Sequence, residues 1–379
     1  MQWRSFVALF LILGSLVAVL ALGGCGANFT KACNASGCCG AASDLCPAPQ
    51  YLYANGVNGQ IDVFPIAAGT GVPGSPTSTS GSTMSLGMAA LNNQFLYVSN
   101  PTLGGISSID AWSIDLGSGG LTAVPGSPFS LGTLSLGAGL AANNSAQVLY
   151  VGDAGKIDAL KADATGALTA VLGSPFAAGT NLFLTVDPQN RFVFASDDTP
   201  PGNVLAFTID ASTGALSPVP GSPFATISGY VGNTQPGQIV VDSTGSFVYT
   251  GLLSTGQIAA FSIVPSSGAL NPVPGSPFPA GNTPIALATV NNFLYVSNAL
   301  DGTISGYSIN PTNGVLTPLG GSPFAIHAGP LATDLVGRFL YTTDSGGLLA
   351  FSIDSTTGAL TPLGSPIPYA GATVLTFVQ

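Results

Sequence analysis

From Tyr51 onward, short apolar runs alternate with clusters of Gly, Pro, Asn, Asp and Ser, and no stretch keeps a helical period. Runs of this kind, rich in β-branched and aromatic side chains and bounded by turn residues, predict strands. Their order repeats. Residues 284–324 show it most plainly, where PIALATVN, NFLYVSN, GTISGYSIN and GVLTPLGGSPF predict four consecutive strands, a to d.

Gly-Ser-Pro marks every unit, beginning at Gly74, Gly126, Gly173, Gly221, Gly275, Gly321 and Gly364. The mean spacing of about 48 residues is that of a four-stranded propeller blade. A length of 379 residues alone suggests two or three domains, and the repeat overrides that expectation. The predicted fold is all-β: a seven-bladed β-propeller of four-stranded antiparallel blades over 51–379. Asp210 to Gly214, Asn310 to Gly314 and Asp354 to Gly358 read as c–d hairpins, the Gly supplying positive φ and the Asp or Asn side chain bonding the turn backbone. Pro218, Pro272, Pro318 and Pro362 recur in strand d and make it an outer edge, because Pro cannot donate to a central ladder. The first unit opens on a strand b, Tyr51 to Asn55, and lacks a strand a, while residues 372–378 have nothing after them. The C-terminal strand is therefore expected to complete the first blade and close the ring. Aromatic residues recurring on strands b and c, and the Phe after Gly-Ser-Pro, read as packing between blades.

The chain before this region has a different pattern. Arg4 precedes an apolar run from Phe6 to Leu22, which fits a secretory signal over 1–24. Leu22-Gly23-Gly24-Cys25 resembles the bacterial lipoprotein box and implies lipidation at Cys25, a membrane anchor, and a place in the cell envelope. Gly26 after that Cys favours the outer membrane. An uncleaved membrane anchor is the other reading of the run. Cys33, Cys38, Cys39 and Cys46 fall in a short stretch of a 25–50 stalk, and four cysteines in an exported segment imply two disulfides. The pairing is either 33–38 with 39–46 or 33–39 with 38–46. A metal site there is disfavoured, since no His is nearby and no CxxC spacing occurs.

Composition narrows the partners. Six Lys and Arg stand against sixteen acidic residues, all Asp, for a net charge of −10. Nucleic acid is excluded, for nothing is available to neutralise its phosphates.

Tyr97-Val98-Ser99-Asn100 and Tyr295-Val296-Ser297-Asn298, together with the Asp-x-x-Thr-Gly-Ala-Leu hairpins, resemble the YVTN-repeat, 6-phosphogluconolactonase-like family of seven-bladed propellers. The resemblance implies hydrolysis of sugar lactones, for which related propellers use Glu, His and Arg on one face. This chain has no Glu and a single His, His327. His327 falls in a d–a link, whereas Arg191 and Arg338 open strands b at the other end, about 20 Å away for a six-residue strand. These residues cannot meet on one substrate.

The candidate site is the end carrying b–c turns and d–a links. Strand b ends in Asn100, Asp153, Asp197, Asn298 and Asp344, and Lys156 and His327 lie on the same face. A convergent ring of oxygens could hold a hard cation such as Ca²⁺, which could activate water on a lactone. Asx turns at strand ends explain the same residues without a ligand. The function expected is a ligand- or protein-binding module without catalysis; the alternatives are a lactonase, metal-assisted or not, and a passive envelope building block.

Overall fold

The computed structural model describes residues 49–378 except 57, 82–84, 86, 101–106, 133–138, 154, 181–182 and 370. The signal-like run, Cys25 and the Cys33, Cys38, Cys39 and Cys46 group lie outside the described residues. Within them there is no helix, and the strands form seven antiparallel sheets. Each sheet runs a-b-c-d as predicted; in the fourth blade these are Leu184–Val186, Phe192–Asp197, Asn203–Ile209 and Leu216–Pro218. The first blade is made from both ends of the propeller. Its outer strands are Gln50–Gly56, Gln60–Ile66 and Thr77–Ser80, and Ala372–Val378 pairs beside the first of these, with Tyr51 opposite Val378 and Asn55 opposite Val374.

Strand d departs from the expected single run. In the fourth blade Leu216–Pro218 and Phe224–Ala225 are separate pieces pairing with the two ends of strand c. Pro223 has no N–H to give a ladder, and the chain bows out before it. Val219 N donates to Ala206 O, and Ala206 N donates to Ser222 Oγ at 3.1 Å. The serine hydroxyl thus takes the place of a missing strand-d carbonyl. The same bond joins Ala111 to Ser127, Ala159 to Ser174, Ala260 to Ser276 and Gly306 to Ser322, each at 2.9 Å. Serine recurs in Gly-Ser-Pro for this reason, and the Ser–Pro bonds in these five copies are cis.

The core lies between blades. Seven buried apolar clusters each join one blade to its neighbour, and the last couples Leu52, Ala54 and Phe64 of the first blade to Phe339, Tyr341 and Leu348 of the seventh. Phe129, Phe176, Phe224, Phe278 and Phe324 pack against five of them, as their recurrence after Gly-Ser-Pro predicts.

One polar contact repeats around the ring. The strand-b tyrosine donates its hydroxyl to a glycine carbonyl in the next blade's c–d hairpin: Tyr53 to Gly119, Tyr97 to Gly166, Tyr150 to Gly214, Tyr249 to Gly314, Tyr295 to Gly358 and Tyr341 to Gly71, at 2.7–2.9 Å. The hairpin comes this close because it offers a glycine. At Gly314 φ is +75°, and a Cβ would strike the Phe247 ring. In the fourth blade Phe194 stands where the tyrosine would be, although the Gly268 hairpin keeps the same shape, with φ +77° and its N donating to Val264 O at 2.8 Å. The hairpin carboxylates are held by their own turns. Asp210 accepts from Ser212 and Thr213, bonds that lower its pKa from the usual carboxylate value, the Ser212 hydroxyl first.

Two outcomes follow for stability. Phe194→Tyr is expected to add about 1 kcal/mol by supplying the missing hydroxyl to the Gly268 carbonyl, and Tyr249→Phe to remove about 1–2 kcal/mol by leaving the Gly314 carbonyl unpaired, both read from urea unfolding midpoints. Burial, the largest cause at each of the six donor tyrosines, raises their pKa above the ordinary value of about 10. Above that pH the unfolded chain releases protons that the folded chain keeps, so stability falls as pH rises. Each tyrosine contributes up to about 1.4 kcal/mol per pH unit. Six together approach the stability of a whole domain within one to two units. Circular dichroism against pH should show steep cooperative unfolding near pH 11, and each Tyr→Phe variant should make it shallower.

Candidate functional site

Strand b runs from the end bearing a–b turns and c–d hairpins to the end bearing b–c turns and d–a links. Because side chains alternate along a strand, its last residue and the first and third residues of strand c share one face, turned toward the preceding blade. These positions build the loop end.

In the third blade Asp153, Lys156 and Asp158 occupy them. Lys156 Nζ lies 3.0 Å from Asp158 Oδ2 and 3.6 Å from Asp153 Oδ2, with both carboxylates buried. The cation expected to meet an anionic ligand is therefore already clasped. In the fourth blade Asp197 is buried, and its Oδ1 accepts from Thr180 N at 2.9 Å and Thr199 N at 3.0 Å while Oδ2 accepts from Asn203 Nδ2 at 3.3 Å. Asn298 in the sixth blade accepts from Gly281 N and donates to Thr303 and Ser305. Asp344 accepts from Gly346 N at 2.7 Å and Gly347 N at 3.0 Å. Asn100 ends its strand half-buried opposite Ser108. His327 is exposed, and its ring lies over Gly302 in the b–c turn of the sixth blade.

The expected ring of oxygens does not gather around a common point. The structure joins Asp153 to Lys156, while Asp197, Asn298 and Asp344 turn into their own blades' loops. Among the described residues no three His, Cys, Asp or Glu side chains are grouped to hold a metal ion. The physical reason is that backbone N–H groups of the links claim the carboxylates first, so each strand end becomes an Asx-type brace.

Two groups of aspartates escaped the sequence reading. Asp62, Asp110 and Asp158 stand at equivalent places on strand c in three successive blades, opposite Ala54, Val98 and Val151. Ser78 Oγ donates to Asp62, and burial holds the Asp110 carboxyl above the usual carboxylate range. The signal was available as Ile-Asp at 61–62, 109–110 and 157–158. Asp187, Asp242 and Asp334 sit in a–b turns at the opposite end, where each caps the start of strand b; Asp334 Oδ1 accepts from Arg338 N at 2.6 Å and Phe339 N at 2.7 Å. Arg191 and Arg338 remain at that end, paired with Asp187 at 2.8 Å and Asp334 at 3.4 Å and lying over the rings of Phe192 and Phe339. They serve the turns.

At the loop end Asp198 binds Asn233 Nδ2 at 2.8 Å, and Asp301 binds both the backbone and side-chain nitrogens of Asn282 at 2.7 Å. These bonds fix the links. Above them Tyr230, Val231 and Leu300 are exposed, the last two nearly completely. Among the described residues this end is acidic, with a few apolar tips.

The family model described as Lactonase, 7-bladed beta-propeller, matches residues 143–271, 222–326 and 277–377. No curated protein matches the chain in sequence. Among solved structures it is similar to a proposed 6-phosphogluconolactonase of Bacteroides uniformis, with a TM-score of 0.73 and 18% identity over 87% of this chain and 99% of that one. It is similar also to the periplasmic gluconolactonase of Pseudomonas aeruginosa, with a TM-score of 0.66 and 19% identity over 88% and 99%. At such identities these likenesses speak for the fold alone, whereas the family match spans well over half of the chain. With seven blades, a closing C-terminal strand and that match, the chain belongs to the lactonase family of seven-bladed β-propellers.

Proposed function

We propose that the chain is an exported, lipid-anchored propeller whose loop end binds a ligand or protein partner without hydrolysing it. The observation that carries this reading is the state of the loop-end side chains. Asp197, Asn298, Asp301 and Asp344 accept hydrogen bonds from link or turn N–H groups, which favours a fixed framework over a base free to take a proton from water. The sequence contributes no Glu, and its one His packs on Gly302. Tyr230, Val231 and Leu300 supply exposed apolar contact above that framework. Export and anchoring rest on the run from Phe6 to Leu22 and on Cys25.

Lactone hydrolysis is the second reading, favoured by the family match and by the names of the two similar structures. Opening of gluconolactone by the purified chain, followed by pH-stat with and without Ca²⁺ and chelator, separates the two. The expected result is no acceleration over the spontaneous rate. Asp197→Ala is expected to lower the melting temperature, as three donors lose their acceptor, and to leave the lactone rate where it was. Turnover by the parent chain that Asp197→Ala or Asp344→Ala abolishes would reverse the assignment.

A further inference from the structure

Between residues 51 and 379 the sequence holds four Lys and Arg residues, and the structure places each of them. Arg191 and Arg338 are tied to Asp187 and Asp334 at the hairpin end. Lys161 pairs across to Thr169 beside a c–d hairpin, at that same end. Lys156 alone is at the loop end, held between Asp153 and Asp158. Eight of the propeller's fifteen aspartates stand at that end with it.

A protein can also hold phosphate without side-chain cations, by aiming backbone N–H groups at it. Among the described residues of the fourth, sixth and seventh blades that route is filled from within. The N–H groups of Thr180 and Thr199 go to Asp197, those of Gly281 and Asn282 to Asn298 and Asp301, and those of Gly346 and Gly347 to Asp344. A phosphate arriving at any of these amides would have to displace a carboxylate or amide oxygen already bonded there, and would meet the negative potential of the remaining aspartates.

From these placements we infer that the loop end selects a ligand carrying no anionic group, so that an uncharged sugar or sugar lactone is accepted and its 6-phosphate ester is rejected. This specificity rests on the loop-end reading above and departs from the substrate named for the Bacteroides neighbour. The mechanism is exclusion by field and by prior occupation of the donors. It acts on encounter rate as well as on affinity, and it weakens as salt screens the carboxylates.

The test reads the field directly and does not require the ligand to be known. Residues 51–379 contain no Cys, and Leu300 and Val231 are exposed on the loop end. Leu300→Cys and, separately, Val231→Cys are made in the full chain and reacted with a cationic and an anionic methanethiosulfonate. Rates are corrected for the parent chain and normalised to a small uncharged thiol in solution. The cationic reagent is expected to react about 10-fold faster at low ionic strength, with the ratio shrinking as salt is added. Equal rates, or a faster anionic reagent, at both positions overturn the inference. In a second arm, gluconolactone and 6-phosphogluconolactone are compared for melting-temperature shift and for opening. A stronger response to the phosphorylated lactone overturns it as well. Silence toward both lactones counts against the ligand reading of the loop end and leaves the thiol ratio to decide the charge selection.

Discussion

The contact on which the architecture depends is made between blades: a buried tyrosine on strand b reaching the glycine carbonyl of the next blade's hairpin. Within a blade, the ladder bonds fix the strands but say nothing about the angle to the neighbour. Apolar packing between blades is strong and non-directional. The tyrosine adds direction, because a hydroxyl must reach a carbonyl at hydrogen-bond distance over a glycine that nothing bulkier can replace. Repeated at six of the seven junctions, the Tyr341 to Gly71 bond among them, it sets the same angle each time and lets the ring come round to meet itself. At the Phe194 junction other donors cross instead: Arg191 gives a hydrogen bond to Pro265 O at 3.4 Å in the Gly268 hairpin, and Gln189 gives one to Thr244 O at 3.2 Å.

A scaffold defined this way leaves the two ends of the strands to different tasks. The hairpin end is committed to the ring: its glycines receive the tyrosines, and its a–b aspartates and arginines cap the strands. At the loop end such bonds do not repeat from blade to blade, although Tyr307 of the sixth blade donates to Pro279 O of the fifth at 2.6 Å, and the polar groups described there mostly brace the links. Bracing stiffens the described links of the fourth, sixth and seventh blades. A stiff surface binds without a large ordering cost, but it commits its donors in advance, and the choice of what may bind is made by what is left over.

The fold was legible because the forces that make it recur with the repeat. Gly-Ser-Pro, the hairpin glycines, the strand-d prolines and the unpartnered Tyr51 strand each state a local requirement, and seven repetitions make the requirement unmistakable. What the pattern did not disclose was the use of side chains in place of backbone. Ser222 standing in for a carbonyl, and strand d breaking into two pieces around it, depend on where Pro223 falls relative to strand c, which is a matter of register. The loop end was harder to read. Asp and Asn at the ends of strand b were correctly placed there, yet whether they face a common centre or their own links depends on loop backbones that a repeat does not specify. Ile-Asp at 61–62, 109–110 and 157–158 is visible in the repeat, but its significance comes from the alternation that turns the Asp side chain into the cleft between blades.

The first blade joins Gln50–Gly56 to Ala372–Val378, so its inner strand is the last part of the propeller to be synthesised. Until those residues leave the ribosome, the nascent polypeptide can form at best an open arc with an uncovered blade face at each extremity. Such an arc leaves in water the apolar faces that closure would cover. The topology keeps the chain uncommitted through nearly all of its synthesis and concentrates the gain in stability into the arrival of one final segment.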